Sequence, residues 1–512
     1  MGDLGGTRRL KRSEIESLYR EVYSCGRSNA LIETDVCVVG GGPAGSAIAR
    51  KLALLGHQVC LVEKAAFPRA HIGESFPPSI LQVLDLFGVR SQIEAAGFFR
   101  PKQALTHWSS AEAVWQSQPG DAGFQVDRGR FDQLLLEAAR AVGVQVLQPA
   151  RAARPVSQGD YQWTVPVRLQ NSQTTIKARF LVSAAGRQSS FHRHKQPHQV
   201  STVALCGYWQ DTPFQGCESR VEAGADAWVW GAPLPDGRFN AAVFLDAKRY
   251  SEAKKGNCEL YRRLLAQTNL LKGCLDGHLD APVQVCDASF FLSKDPIGLD
   301  WIKVGDAAFA IDPLSSQGVQ MAMMSAFQGS IAVHTLLTQP EQANAAIDFY
   351  RNKLQETVAR SQTTAAQVYA SQTVHPTTSF WQQRSQPPLA VAPTEWEQNL
   401  SLFEINDPIR LSASAKLMLT PVIQGNSIRA INALHHPGLE SSVAYLGNLA
   451  IAPLLNQLVA GQTVLELMQQ WSKQQDLATC WQVLQWLWFQ HIIVRITEGV
   501  YEKTARTNTS RA

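Results

Sequence analysis

Residues 35–64, DVCVVGGGPAGSAIARKLALLGHQVCLVEK, constrain the fold more than any other stretch of the chain. An apolar run with β-branched Val36, Val38 and Val39 ends in Gly40, Gly42 and Gly45, spaced G-x-G-x-x-G. A helix-competent segment follows, and a second apolar strand over 58–62 closes on Glu63. In such a unit the first glycine permits a tight turn, the second lets the backbone approach a pyrophosphate, and the third lets helix and strand pack closely. The helix N-terminus turns unpaired N–H groups and the positive end of its dipole toward the phosphates. Glu63, at the end of the second strand, is placed to accept from a ribose hydroxyl. Ala44 and Lys64 flank these contact points and are expected to line the same site. Strand, turn, helix, strand and terminal acid together predict a dinucleotide site in an α/β sheet.

A second segment narrows the ligand. Residues 301–326 read WIKVGDAAFAIDPLSSQGVQMAMMSA, a short strand, Gly305-Asp306, a loop with Pro313, and a helix opening at Gln317, Gly318 and Val319. Asp306 at a strand end could accept from a ribityl hydroxyl. The helix would aim its N-terminal amides at an isoalloxazine carbonyl, where a reduced flavin gathers negative charge. An acid capping an ordinary turn has the same pattern. In one chain with the first motif, FAD is the expected cofactor.

With both segments in view, the chain resembles the FAD-dependent aromatic hydroxylases and, more closely, their flavin-dependent halogenase branch. GGGPAGSA at 40–47, RAHIGESFPPS at 69–79, VDRGRFDQLLLEAA at 126–139 and VGDAAFAIDPLSSQG at 304–318 carry the resemblance. It implies an α/β fold: a Rossmann-like FAD-binding domain, an antiparallel β-sheet substrate domain and a helical C-terminal region. It also implies that Gly73, Glu74 and Ser75 line the flavin, with Glu74 a polar anchor, and that Arg128 reaches the cofactor. Gly186 falls in the central motif LVSAAGRQSS, where nicotinamide-using hydroxylases carry Asp-Gly and this chain has Ala185-Gly186. No second G-x-G-x-x-G is present, so a separate flavin reductase is expected to deliver reduced FAD.

Two further departures bear on the reaction. Halogenases of the phenol and pyrrole type place a lysine five residues before a tryptophan, where it engages hypohalous acid. Here that position before Trp108 is Gln103, with Lys102 adjacent. Neighbouring strand residues face opposite ways, so Lys102 is expected on the wrong side unless a bulge intervenes. The halogenase W-x-W-x-I-P motif is matched by WVWGAP, with Ala232 replacing isoleucine. Trp228 and Trp230 share a strand face and either wall a substrate cavity or fill a core. The alanine opens space and favours direct oxygen insertion. The expected function is an FAD-dependent monooxygenase hydroxylating an indole or phenol, free or bound to a peptide, protein or carrier, through a flavin C4a-hydroperoxide. Glu74 is the one polar group backed at the reacting centre. Alternatives are a halogenase using Lys102, a flavin reductase of unsaturated lipid, and a non-catalytic maturation scaffold.

Composition agrees with a cytoplasmic enzyme. A net charge of +4 over 512 residues implies neither nucleic acid nor an anionic membrane surface as partner. Nine cysteines without a C-x-x-C pair suggest no disulfide framework and no metal site. A charged N-terminus and short apolar runs predict no signal peptide and no membrane span. The chain divides into a polar extension (1–33, with a helical patch over 12–23), an FAD-binding domain in two parts (34–195 and 293–370), an antiparallel-sheet domain (196–292), a linker (371–398) and a C-terminal region (399–512). The last resembles winged-helix modules, and its Trp471, Trp481, Trp486 and Trp488 are expected in helix cores.

Overall fold

The expected first strand runs as β1, Ala30–Val39, continues through the glycine turn into helix α1, Pro43–Leu54, and returns as β2, Val59–Val62. In this computed structural model the described residues are 30–496, apart from 118–121, 160–161, 190–194, 198–199, 215, 254–255 and 387–401. The expected helical patch at 12–23 lies outside them. Val36 to Val39 pair in parallel with Val59 to Val62 on one side and with Gln173–Ser183 on the other. Gln145–Leu147 and Trp301–Lys303 extend the parallel sheet at either end. These strands are apolar on both faces, as a sheet covered on both sides requires. Val36, Val38 and Ile48 are among the residues packed between the sheet and its helices.

A second sheet is largely antiparallel. It begins early in the chain with β3, Gln103–His107, and β4, Val114–Ser117. Its centre is β5, Thr202–Gln210, β6, Ser219–Ala223, β7, Ala227–Pro233, and β8, Phe239–Asp246. The spatial order is β5-β8-β7-β6-β3-β4. The sequence division at 196 therefore needs correcting, because 103–117 belongs to this sheet. Nothing local marks it: β3 pairs in parallel with β6, more than a hundred residues away. Alternation separates two faces. Leu205, Trp209, Val229, Ala241 and Val243 meet the helix Asn257–Ala266. Cys206, Trp228, Ala242 and Phe244 point the other way.

Helices α2, Gly318–Thr338, and α3, Ala343–Ala370, follow. The segment read as a linker then forms α4, Ser379–Arg384, before the described residues pause at 386. Beyond 401, the hairpin β9, Lys416–Gln424, and β10, Ser427–His435, docks on α2, where Ile428 N donates to Thr335 Oγ1 at 2.9 Å. Among the described residues, three helices, a small three-stranded sheet and a short two-stranded one follow in the C-terminal region. Trp471 and Trp488 sit in its core, whereas Trp481 is exposed. No described helix is long and apolar enough to cross a membrane.

Candidate functional site

The glycine turn has the shape its spacing predicts. Gly40 has φ +110°, and a side chain there would strike the Ala184 carbonyl. A side chain on Gly45 would strike the carbonyl of Gly40. Gly42 differs, for a Cβ would meet only Arg69 Nη2, at 3.3 Å. Gly42 is thus an opening with a guanidinium at its edge. It also caps α1 without any side-chain hydrogen bond, and Pro43 takes the first helical position, so the first-turn amides remain for a ligand. Arg69 pairs with Asp132 at 3.2 Å, yet its Nε is buried without a partner among the described residues. This residue was missed in the sequence, although it opens the RAHIGES segment.

Glu63 lies where the spacing puts it, buried at the strand end, but it is used within the protein. Oε2 accepts from Gly41 N at 2.6 Å and Oε1 from Ala65 N at 2.8 Å. It therefore fixes the turn as well as standing beside it. Lys64 is exposed. Ala44 packs against Gly305, whose Cβ would meet Ala44 Cβ at 2.8 Å and Ala322 Cβ at 3.2 Å. With φ +57°, Gly305 could not readily carry a side chain in any case. Asp306 follows, 44% exposed, with Arg187 Nε 3.4 Å from its carboxylate. Pro313 starts a short turn capped by Asp312, which accepts from Leu314 N at 2.9 Å. Ser316 is left-handed at φ 54°. Gln317 caps α2 without a side-chain bond, Gly318 borders open space and Val319 is partly buried, leaving a second uncapped helix N-terminus. Gly186, at φ +70°, also borders open space.

The IGES segment joins the two sheets. Glu74 is buried; Oε1 accepts from Tyr208 at 2.6 Å, and Oε2 accepts from Gly73 N at 2.8 Å and Asn240 Nδ2 at 3.1 Å. Burial pushes the Glu74 carboxyl above the ordinary range, against the pull of those hydrogen bonds. Burial likewise raises the Tyr208 hydroxyl. Arg128 does not stand free for a cofactor as the resemblance implies. It pairs with Asp132 at 3.1 Å, and its Nη1 donates to the carbonyls of Ile72 at 2.7 Å and Gly73 at 3.2 Å. Its effect is to hold the loop. Ser75 pairs with Gln125, which is fully buried with neither amide atom bonded among the described residues. Asn240 Oδ1 is unbonded too. Buried amides left unpaired cost free energy. Together with the opening at Gly42, they fit a polar ligand threading from α1 past the IGES loop, as FAD would. Among the described residues no cluster fit for a metal appears.

Beside these loops lies the aromatic face of the second sheet. Trp228 stacks on Phe244 with centroids 3.8 Å apart, and Trp108 meets Trp228 edge-on at 6.4 Å. Trp230 is partly buried at the margin of this cluster, and Ala232 pairs with Asn240. Ile72 and Leu314, from the two loops just described, pack against the same cluster. The register also sets which way each residue of β3 faces. Val221 lies beside Thr106 and opposite Trp230, while Glu222 lies beside His107. The face toward Trp228 is therefore that of Ala104, Thr106 and Trp108, and alternation puts Lys102, exposed and one residue ahead of β3, in line with them. Gln103 falls on the other side, where its amide reaches Ser117 Oγ at 3.4 Å.

Comparison with known proteins agrees with this geometry. Residues 33–230 match the family described as FAD binding domain. Tryptophan 2-halogenase of Chondromyces crocatus is 32% identical over 340 residues, 62% of this chain; the match spans 64% of that relative, less than two thirds of its length. Among solved structures, a peptidyl tryptophan dihydroxylase essential for tryptophylquinone cofactor biogenesis aligns with TM-score 0.71 and 26% identity, over 90% of this chain and 99% of that one. The flavin-dependent halogenase CmlS aligns with TM-score 0.71 at 20% identity, over 91% and 96%, a likeness of fold.

Proposed function

For a flavoprotein that carries an FAD-binding domain and stands in the halogenase-like branch, we propose hydroxylation of an electron-rich aromatic ring, with a tryptophan side chain of a polypeptide as the substrate. The observation that carries this reading is the likeness to a peptidyl tryptophan dihydroxylase over 99% of that protein, C-terminal region included. Reduced FAD supplies two electrons to dioxygen; one oxygen atom enters the ring, replacing hydrogen, and the other leaves as water.

The chain's own residues bind, orient and exclude solvent. The amides of Gly42 and α1, with Arg69, would hold the pyrophosphate; Asp306 and the uncapped start of α2 would hold the ribityl and ring end. Glu74 clamps the intervening loop to Tyr208 and Asn240. Trp108, Trp228 and Trp230 offer an apolar wall in which a developing charge finds no competing water. Ala232, where halogenases carry isoleucine, leaves room beside Asn240.

Electrons are expected from a separate reductase. Mixing NADPH with the FAD-loaded protein without oxygen should leave the flavin oxidised over many turnover times, and rapid bleaching would overturn that arrangement. The reaction itself is read by mass spectrometry of tryptophan-containing peptides and simple phenols, incubated with the protein, a flavin reductase, oxygen and bromide. Gain of oxygen without bromine supports hydroxylation. One observation favours halogenation as a second reading: the likeness to a tryptophan 2-halogenase, 32% identical over 340 residues. A brominated ring from wild type, lost in Lys102→Ala while oxygen consumption continues, would establish it and sink the hydroxylase.

A further inference from the structure

Three rings on the aromatic face, those of Tyr369, Phe380 and Trp381, belong to neither the sheet nor the cofactor loops. Trp381, from the six-residue α4, is 1% exposed. It meets Trp108 edge-on with centroids 5.1 Å apart and lies 5.9 Å from the Tyr369 ring. Its indole N–H donates to the Gly224 carbonyl at 3.0 Å, at the end of the β6–β7 hairpin. Tyr369, in turn, donates to Asp312 at 3.0 Å, tying this wall to the turn before α2. The result is a box with aromatic walls, a carbonyl set to receive an indole N–H, and Ile72 and Leu314 of the cofactor loops on its margin.

Such a box has the dimensions and polarity of an indole because it holds one. We propose that it is the ring-binding subsite for the tryptophan side chain of a polypeptide substrate, that Trp381 occupies it in the substrate-free chain, and that α4 withdraws when the substrate ring enters. The inference rests on the reading of a peptidyl indole substrate and goes beyond it. Exchange of one indole for another conserves the buried area of the ring, the edge-on contact with Trp108 and the hydrogen bond to Gly224, which leaves Phe380 as the buried group that withdrawal uncovers. A six-residue helix has little stability of its own. Its other ties are Phe380, buried in the same cluster, and its two ends: Thr378 Oγ1 donates to the Ala225 carbonyl at 2.7 Å, and Arg384 pairs with Asp246 at 2.6 Å and bonds Thr202 Oγ1 at 3.0 Å. Release at Thr378 with Arg384 retained turns α4 outward about its C-terminal end.

The FAD-loaded Trp381→Ala protein tests the box. It should bind N-acetyl-tryptophanamide one to one by calorimetry, at least tenfold more tightly than wild type, and binding should shift the flavin absorbance. Binding that leaves the flavin spectrum unchanged would make the box an ordinary core cavity and overturn the proposal, as would no gain over wild type. Should the alanine variant fail to fold, Trp381→Phe loses the bond to Gly224 and should raise affinity for a tryptophan peptide severalfold; unchanged affinity counts against the idea. In wild type, a tryptophan peptide should speed hydrogen exchange over 379–384. Oxidation of the peptide with those amides equally protected would overturn displacement while leaving the hydroxylase reading intact. If no peptide is oxidised, that reading fails, and the calorimetry still decides the box.

Discussion

The two faces of the second sheet are built from the same strands and differ in how they treat polar atoms. On the face toward the helix Asn257–Ala266, Trp209 Nε1 donates to the Tyr261 hydroxyl at 2.9 Å, which donates to the Ala241 carbonyl at 2.9 Å. On the opposite face Asn240 Oδ1 is unbonded among the described residues, and burial raises the pKa of Glu74. A closed face secures the fold. An unfinished one awaits ligands, and it is the face that meets the cofactor loops.

The sharpest way to break this contrast lies in the loops themselves. Gly42→Val should lose all bound FAD while the apoprotein melts as before, because the new side chain meets only the end of the flexible Arg69 side chain. Gly45→Val should fail to fold, since its side chain meets the Gly40 carbonyl. Flavin absorbance per mole of protein and circular dichroism separate the two. If Gly42→Val keeps its yellow colour, the opening is not a phosphate site.

Next in size, Trp209→Ala on the closed face should cost about 3–5 kcal/mol in urea unfolding and leave the substrate profile of the folded fraction unchanged. A change of product would mean that this face also shapes the site.

Glu74 should respond to pH. Its folded pKa is raised by burial, so the fold favours the protonated form, and its contribution to stability is lost as pH rises from the ordinary carboxylate range through the raised value. Wild type should therefore lose stability relative to Glu74→Gln across that window, by about 1–3 kcal/mol, the cost of a buried polar group. A gap moving in favour of wild type as pH rises would show the carboxylate to be stabilising.

Smallest in stability is Trp228→Phe, expected within about 1.5 kcal/mol because the ring volume is largely kept. Its turnover of tryptophan peptides should nonetheless fall more than that of Trp209→Ala. Equal turnover would erase the distinction between the faces.

Much of the cradle was legible because its constraints are local. Gly40, Gly42 and Gly45 act within one turn, and the residues 304–318 within one strand-to-helix junction. What escaped depends on distant partners. Arg69 gains meaning only beside Gly42, and Gln125 only when its amide proves to be buried and unpaired. The side on which Lys102 lies follows from a register with β6 that no neighbouring residue encodes. α4 hides in sequence rich in Gln, Thr and Ser, where two aromatic residues do not suffice to announce a packed helix.

Gly305 carries one more consequence. Its missing methyl is the point at which α1, through Ala44, and α2, through Ala322, come to rest on the same strand end. Both helices begin with amides free for a ligand, so that contact works as a gauge block between two docking points. A molecule long enough to touch both, as a dinucleotide is and a mononucleotide is not, is measured against a spacing that a single methylene would reset.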